Sequence, residues 1–174
     1  MCFCSLDKIL GLAGQGTFGT VLDVHDTCTN ERLAIKVVRS VPRYLDAAQL
    51  EIEILEKIKL KDIHGKSLCV RLLNTFKIKH ESQNHVCIGF EKLGRSLYEF
   101  IKKNNYRGFS LRNVKLFGYQ ILWAVAFCHR MKLVHTDLKP ENILLCSSKY
   151  TLLVNTICSS SSLSLSFHNL SHFP

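Results

Sequence analysis

Asp, Lys and Asn stand together in the stretch His135-Thr136-Asp137-Leu138-Lys139-Pro140-Glu141-Asn142, directly before the apolar run Ile143-Leu144-Leu145. An aspartate there can accept a proton from an incoming hydroxyl. A lysine can neutralise phosphate oxygens, and an asparagine amide oxygen can ligate a metal ion. Far upstream lies Gly14-x-Gly16-x-x-Gly19. A dinucleotide-binding fold would need these glycines to open a helix. Here Thr20-Val21-Leu22-Asp23-Val24 continues as a strand, so the glycines turn a β-hairpin. Lacking a Cβ, they let the backbone approach phosphates closely. Taken alone, such a hairpin is more often an ordinary glycine-rich turn, and the loop at 135–142 an ordinary surface loop.

Two charged residues between these motifs change the balance. In the strand pattern Leu33-Ala34-Ile35-Lys36-Val37-Val38, side chains two apart share a face, so Lys36 lies with Ala34. A small residue beside a lysine makes room for a planar ligand beneath the hairpin. In the helical pattern of residues 46–59, with Asp46 as the expected cap, Glu51 falls on the stripe of Ala47, Ile54, Leu55 and Ile58. Glu53 and Lys57 fall on the outer face, as a routine surface pair. A carboxylate on a core-facing stripe needs a cation, because an unpaired buried charge is costly. Lys36 is the expected partner.

The elements that position these residues follow from periodicity. Strands are expected around the glycine hairpin at 9–25, at 33–38, and near 69–78 and 85–91, the last two joined by the polar turn His80-Glu81-Ser82-Gln83-Asn84. After Leu93-Gly94 the pattern turns helical. A short helix fits Ser96 to Asn104. A longer one fits Leu111 to Met131, with Val114, Phe117, Ile121, Ala124, Val125 and Cys128 on its apolar stripe. A β-rich half thus runs to residue 92 and an α-rich half follows. From Tyr150 to Pro174 there is no Asp, Glu, Lys or Arg, and Cys158 to Pro174 holds seven serines. Ser162 to Phe167 alternates like a strand with no obvious sheet to join.

Composition narrows the function classes. With 47% hydrophobic and 21% charged residues, 9 Gly and 3 Pro, the chain is neither collagen-like nor disordered. No apolar run is long enough for a membrane helix, and no secretory leader is apparent, so a soluble intracellular protein is expected. The net charge of +9 is scattered rather than gathered with aromatic residues, so direct nucleic-acid binding is not expected. Eight cysteines without a C-x-x-C read as reduced core thiols rather than a zinc site.

The motifs, in this order, resemble the eukaryotic protein kinases, and within them the LAMMER or CDC-like branch. Gly16-Thr17-Phe18-Gly19 carries the likeness, as do Arg43-Tyr44 and Ala47-Ala48 before Glu51. So do Phe90-Glu91-Lys92-Leu93-Gly94, Ser96-Leu97-Tyr98 and His135 to Asn142, with Thr136 where most kinases have Arg. The resemblance implies an α+β, two-lobed kinase fold: an N-lobe at 1–92, and a hinge with a partial C-lobe and catalytic loop at 93–150. Residues 151–174 are expected to be a Ser-rich tail that is not kinase-like, of the kind a retained intron, a frameshift or a mistaken gene model produces. It implies ATP and magnesium as cofactors. Gly14, Gly16, Thr17, Phe18, Gly19 and Val21 would cover the phosphates. Ala34 would line the nucleotide pocket, Lys36 held by Glu51 would contact the phosphates, Phe90 would be the gatekeeper, and Glu91 and Leu93 would bind adenine. Asp137 would be the catalytic base, Lys139 the γ-phosphate contact and Asn142 a magnesium ligand. These groups would converge on one bound triphosphate. Substrates would be serine or threonine hydroxyls of Arg/Ser-rich proteins, sometimes tyrosine, in the nucleus.

One departure bears on chemistry. The family carries an Asp-Phe-Gly whose aspartate chelates magnesium, yet Asp137 is the last aspartate of these 174 residues and Glu141 the last glutamate. With prolines only at 42, 140 and 174, an Ala-Pro-Glu is missing too. The expectation is a chain truncated within the C-lobe and catalytically feeble or dead, its alternative role being a non-catalytic nucleotide- or partner-binding module.

Overall fold

The computed structural model describes residues 8–80 and 82–146, together with the strand backbone at 151–153, 156–158, 163–165 and 171–172. The chain divides into two compact units: Met1–Lys61 with Arg71–Lys92, and Asp62–Val70 with Leu93–Pro174.

The first unit is an antiparallel sheet of β1 (Lys8–Gln15), β2 (Gly19–Asp26), β3 (Glu31–Val38), β4 (Leu72–His80) and β5 (Gln83–Glu91), in the order β1-β2-β3-β5-β4. One face gathers Val24, Ile35 and Cys87, flanked by Leu22, Val37 and Phe76. The register sets Lys36 opposite Val21 and Ile88, and Ala34 opposite Asp23 and Phe90, so these residues share the other face. Helix α1 (Pro42–Lys61) lies against β3, β4 and β5 and buries Ala48, Glu51, Ile52, Ile54, Leu55 and Ile58.

Local sequence explains where these elements begin. Helix α1 starts four residues before the expected Asp46 cap. Proline's fixed φ suits the first helical position, and the Val41 carbonyl accepts the Tyr44 and Leu45 amides. Asp46 is an exposed residue inside the helix, and Ala48 rather than Ala47 is buried. Glu53 accepts a bond from Gln49 at 3.4 Å on the outer face. Strand β4 starts at Leu72, later than expected, because Cys69 and Val70 belong to the second unit. The β4–β5 turn is tighter than expected, with Ser82 in the left-handed region at φ 67°.

The second unit contains α2 (Leu97–Lys103) and α3 (Leu111–Arg130). Ser96 and Glu99 form a reciprocal capping box at the start of α2, and the Ser110 side chain caps α3. Phe109 ties the helices together, stacked on Phe100 at 5.4 Å and edge-on to Phe117 at 5.1 Å. Strand β6 (Leu133–Val134), a 3-10 turn (Pro140–Asn142) and β7 (Ile143–Leu145) frame the loop between them. Of the expected α3 stripe, Phe117, Ala124 and Cys128 are buried and Ile121 and Val125 half-buried, whereas Val114 is exposed and Asn113 buried in its place. The Ser110 cap rotates the first turn in this sense by fixing the Asn113 amide at 3.3 Å. Leu111 and Leu122, each 69% exposed, leave an uncovered apolar surface on the same helix.

Four short strands follow: β8 (Thr151–Leu153), β9 (Thr156–Cys158), β10 (Leu163–Leu165) and β11 (Ser171–His172). Contrary to expectation, the alternating serine-rich stretch does find a partner, since β10 pairs antiparallel with β7. Strand β11 pairs with β6, and β8 with β9. Among the described residues, no helix is long and apolar enough to cross a membrane.

Two glycines mark close approaches. A Cβ on Gly19 would overlap the Val37 carbonyl oxygen, and one on Gly89 would overlap the Asn74 amide oxygen. At Gly14 and Gly16, by contrast, an added Cβ meets nothing within 4 Å. Gly19→Ala is therefore expected to destabilise the protein by about 1–3 kcal/mol. Gly16→Ala should stay within about 0.5 kcal/mol of the parent. Urea denaturation of the two variants checks this, and equal losses would contradict it.

Candidate active site

The glycine-rich hairpin closes through the Gly16 amide, which donates to the Gly19 carbonyl at 3.0 Å. It is anchored to the end of β3 by the Arg39 amide on the Phe18 carbonyl at 3.0 Å. Phe18 packs edge-on against Tyr44 of α1 at 5.3 Å, and the Arg43 guanidinium lies 4.7 Å from the Tyr44 ring centre. Thr17 and Gly16 remain exposed. Among the described residues nothing lies within 4 Å of a Cβ added at Gly14 or Gly16, so the backbone there can approach a phosphate chain closely, with the Arg39 guanidinium on the Gly16 carbonyl at 3.4 Å.

Beneath the hairpin, Lys36 Nζ donates to both Glu51 oxygens, at 2.9 and 2.6 Å. The two side chains are only 8% and 9% exposed. Desolvating both charges costs several kcal/mol each, which only mutual pairing offsets. The pair therefore fixes the lysine head and the rotation of α1 together. Val21, Ala34 and Phe90 join Lys36 on the same sheet face, Phe90 being 9% exposed. The first unit thus brings together every expected nucleotide-binding residue except Leu93, which belongs to the second unit.

The segment ending in Glu91-Lys92 is held by contacts that sequence reading passed over. Glu91 Oε1 accepts the Arg71 amide at 2.9 Å, and the Glu91 amide donates to the Arg71 carbonyl at 3.3 Å. Lys92 Nζ lies 3.3 Å from Asp23 Oδ2, which also pairs with Arg32. Burial alone would raise Asp23, but bonds from Arg32 and Lys92 and their charges outweigh it and hold the carboxyl below its ordinary value. The available signal was strand alternation: Asp23 follows Val21 by two residues and stands opposite Ala34, on the sheet face that carries Lys36.

The second unit builds the expected catalytic triplet within one loop. Asp137 Oδ2 receives Lys139 Nζ at 2.9 Å and Asn142 Nδ2 at 2.9 Å. Asn142 Nδ2 also donates to the Asp137 carbonyl at 2.9 Å, and the Asn142 amide to the Lys139 carbonyl at 2.9 Å. The Asp137 amide turns back on the His135 carbonyl. Pro140 opens the 3-10 turn that buries Asn142. The Lys139 bond, with help from Asn142, holds the Asp137 carboxyl below its ordinary value despite some burial cost. Asp137 is therefore ionised at neutral pH, as a proton acceptor must be.

The donor set fits magnesium poorly. Asn142 spends its Nδ2 on Asp137 and leaves one neutral amide oxygen. Among the described residues no group of three His, Cys, Asp or Glu could hold a metal ion. Magnesium favours one or two carboxylates besides substrate phosphates, so these residues alone do not complete its site.

Two results are expected from these geometries. Lys36→Met and Glu51→Leu should each cost about 3–5 kcal/mol, while the double variant returns to within about 1 kcal/mol of the parent. Denaturant titrations of the three variants test this, and additive losses would contradict it. The second result concerns acid. Asp23 has its folded pKa below the unfolded value of about 3.9, so its ion pairs contribute stability above that pH, lost as pH falls through the folded value. Asp23→Asn should therefore be less stable than the parent at pH 7, with the gap closing below about pH 4. A gap constant with pH would overturn the assignment.

Comparison with known proteins bears on the same residues. The protein kinase domain family matches residues 8–155. Serine/threonine-protein kinase AFC3 of Arabidopsis thaliana is 51% identical over 142 residues, covering 82% of this chain and 34% of that protein. Serine/threonine-protein kinase Doa of Drosophila melanogaster is 44% identical over 144 residues, covering 83% and 17%. Dual specificity protein kinase CLK2 of Homo sapiens is 43% identical over 149 residues, covering 85% and 29%. The chain thus spans about a third or less of these relatives. With its glycine hairpin, its lysine–glutamate pair and its Asp-Lys-Asn loop in family order, the chain belongs to the protein kinases, on their LAMMER or CDC-like branch.

Proposed function

We propose that this chain carries the nucleotide-binding and catalytic-loop portion of a serine/threonine kinase, with dual specificity within its range. It transfers the γ-phosphoryl group of ATP to hydroxyls of Arg/Ser-rich proteins. The observation that carries the reading is the buried Lys36–Glu51 pair, which holds an ammonium group rigidly beneath an open glycine hairpin. Lys36 binds the α- and β-phosphates, and the hairpin Gly14–Val21 covers them. Ala34 and Phe90 line the base pocket, with backbone groups of Glu91 and Leu93 meeting adenine. Asp137 accepts the proton of the substrate hydroxyl, and Lys139 neutralises the transferred phosphate. Protein kinases use ATP with magnesium. Residence in the nucleus belongs to the same reading, by kinship with the CDC-like branch.

A second reading is favoured by the donor set at Asn142, which spends its amide nitrogen on Asp137 and offers one neutral oxygen, with no cluster of three His, Cys, Asp or Glu among the described residues. In it the chain binds nucleotide, or a partner, without turnover. One experiment separates the two: binding of a fluorescent ATP analogue, alongside transfer of radiolabelled phosphate to an Arg/Ser peptide. Lys36→Met should weaken nucleotide binding at least about tenfold, and Asp137→Asn should leave it intact. If transfer occurs, Asp137→Asn should reduce it by about 10²–10⁴-fold. Binding without transfer selects the second reading. Binding indifferent to Lys36→Met contradicts both.

A further inference from the structure

Two thiols outside the candidate site meet in the second unit. Cys69 and Cys128 are 59 positions apart in sequence, yet their sulfurs lie 4.0 Å from each other. They are 4% and 1% exposed, and no step proposed above uses them. Cys69 ends a short, tightly organised link. The Asp62 carboxylate accepts the Lys66 and Ser67 amides at 2.7 and 3.1 Å, and Ser67 Oγ accepts the Cys69 amide at 3.0 Å. Leu68, between them, adopts φ 61°, a conformation that a branched side chain avoids. Helix α3 grips this link twice: Trp123 Nε1 donates to the Lys66 carbonyl at 2.8 Å, and Cys128 meets Cys69 further along the same helix.

We propose that Cys69 and Cys128 form a reversible dithiol–disulfide modification site, closed by a hydroperoxide such as hydrogen peroxide and reopened by a thiol reductant. The sulfurs must approach from 4.0 Å to about 2.0 Å. The strained backbone at Leu68 sits where the link can take up that movement. The two thiols share an S–H···S contact in which either sulfur can donate; that contact holds Cys128 below its ordinary value, while it and burial push Cys69 up. The two sulfurs lie in contact, so either can react first; in one order Cys128 is the attacking thiolate. Its thiolate attacks one peroxide oxygen, the O–O bond breaks, and the departing hydroxide takes up a proton to become water. Cys128 is left as a sulfenic acid. Cys69 sulfur then attacks Cys128 sulfur, the S–O bond breaks, and the hydroxyl leaves with the Cys69 proton as a second water. Both thiols are oxidised and one peroxide is reduced to two waters. A dithiol reductant reverses the step by becoming a disulfide itself. The bond pins the link Asp62–Val70 covalently to α3.

The test uses the whole chain, folded, treated with limiting hydrogen peroxide. The product is denatured in alkylating reagent and mapped by mass spectrometry without reduction. A cross-linked peptide pair containing Cys69 and Cys128, lighter by two hydrogens, should dominate and disappear with dithiothreitol. The oxidised chain should melt roughly 5–15 °C higher, because the bond closes a long loop. Cys128→Ala should abolish both changes. If that variant does not fold, mapping of the unsubstituted chain decides alone. Recovery of Cys69 and Cys128 as alkylated thiols while Cys28 and Cys146 oxidise would overturn the proposal. So would their cross-linking to other cysteines in equal yield.

Discussion

A buried positive charge and a buried negative charge must find each other, and the first unit is organised around that requirement. Removing either Lys36 or Glu51 would leave the other as a buried charge with its partner gone, which is costly. Their bond demands that β3 present Lys36 on the face covered by α1, and that α1 turn Glu51 inward among Ala48, Ile52 and Leu55. The hydrophobic stripe of the helix supplies the docking energy, and the ion pair selects one rotation of the helix out of several the apolar residues would tolerate. That selection fixes the lysine head relative to the open backbone at Gly14 and Gly16. Structure and chemistry depend here on the same two side chains.

The second unit solves a different problem with shorter-range means. Its Asp137, Lys139 and Asn142 bond to one another and to local backbone, while the 3-10 turn that buries Asn142 packs against α2. A 3-10 turn opened by Pro140 sets Asn142 back against Asp137, so the loop is organised within a handful of residues. Around it, packing is uneven. The Phe100–Phe109–Phe117 cluster and the Cys69–Cys128 contact are well buried, whereas Leu111, Tyr119 and Leu122 on α3 stay exposed. Apolar side chains at these positions contribute little to stability in this setting, because little of their area leaves water.

Much of this was legible in the sequence because it is local or periodic. Strand alternation put Lys36 beside Ala34, helical spacing put Glu51 inward, and the Asp-Lys-Asn loop sits within eight residues. What escaped was non-local or competitive. Asp46 looked like a cap, but proline's fixed φ at Pro42 began the helix earlier, and Ala48 rather than Ala47 is the alanine buried beside Glu51. Val114 belonged to an apolar stripe, but the Ser110 cap fixed the first turn with Asn113 inward instead. Asp23 was marked only by strand alternation, which cannot name its partners, because Arg32 lies on β3 and Lys92 just past the end of β5. The assignment of Asp62–Val70 to the second unit depended on contacts from α3 that no local rule supplies.

The central claim is that Glu51 holds Lys36 for the phosphates of a nucleotide and not merely for the stability of α1. Calorimetric titration of the folded Glu51→Gln variant with ATP and, separately, with adenosine tests it most directly. The account predicts ATP affinity at least about tenfold weaker than in the parent chain, with adenosine affinity unchanged. Equal ATP affinity in the two folded proteins, or equal losses for ATP and adenosine, would contradict it.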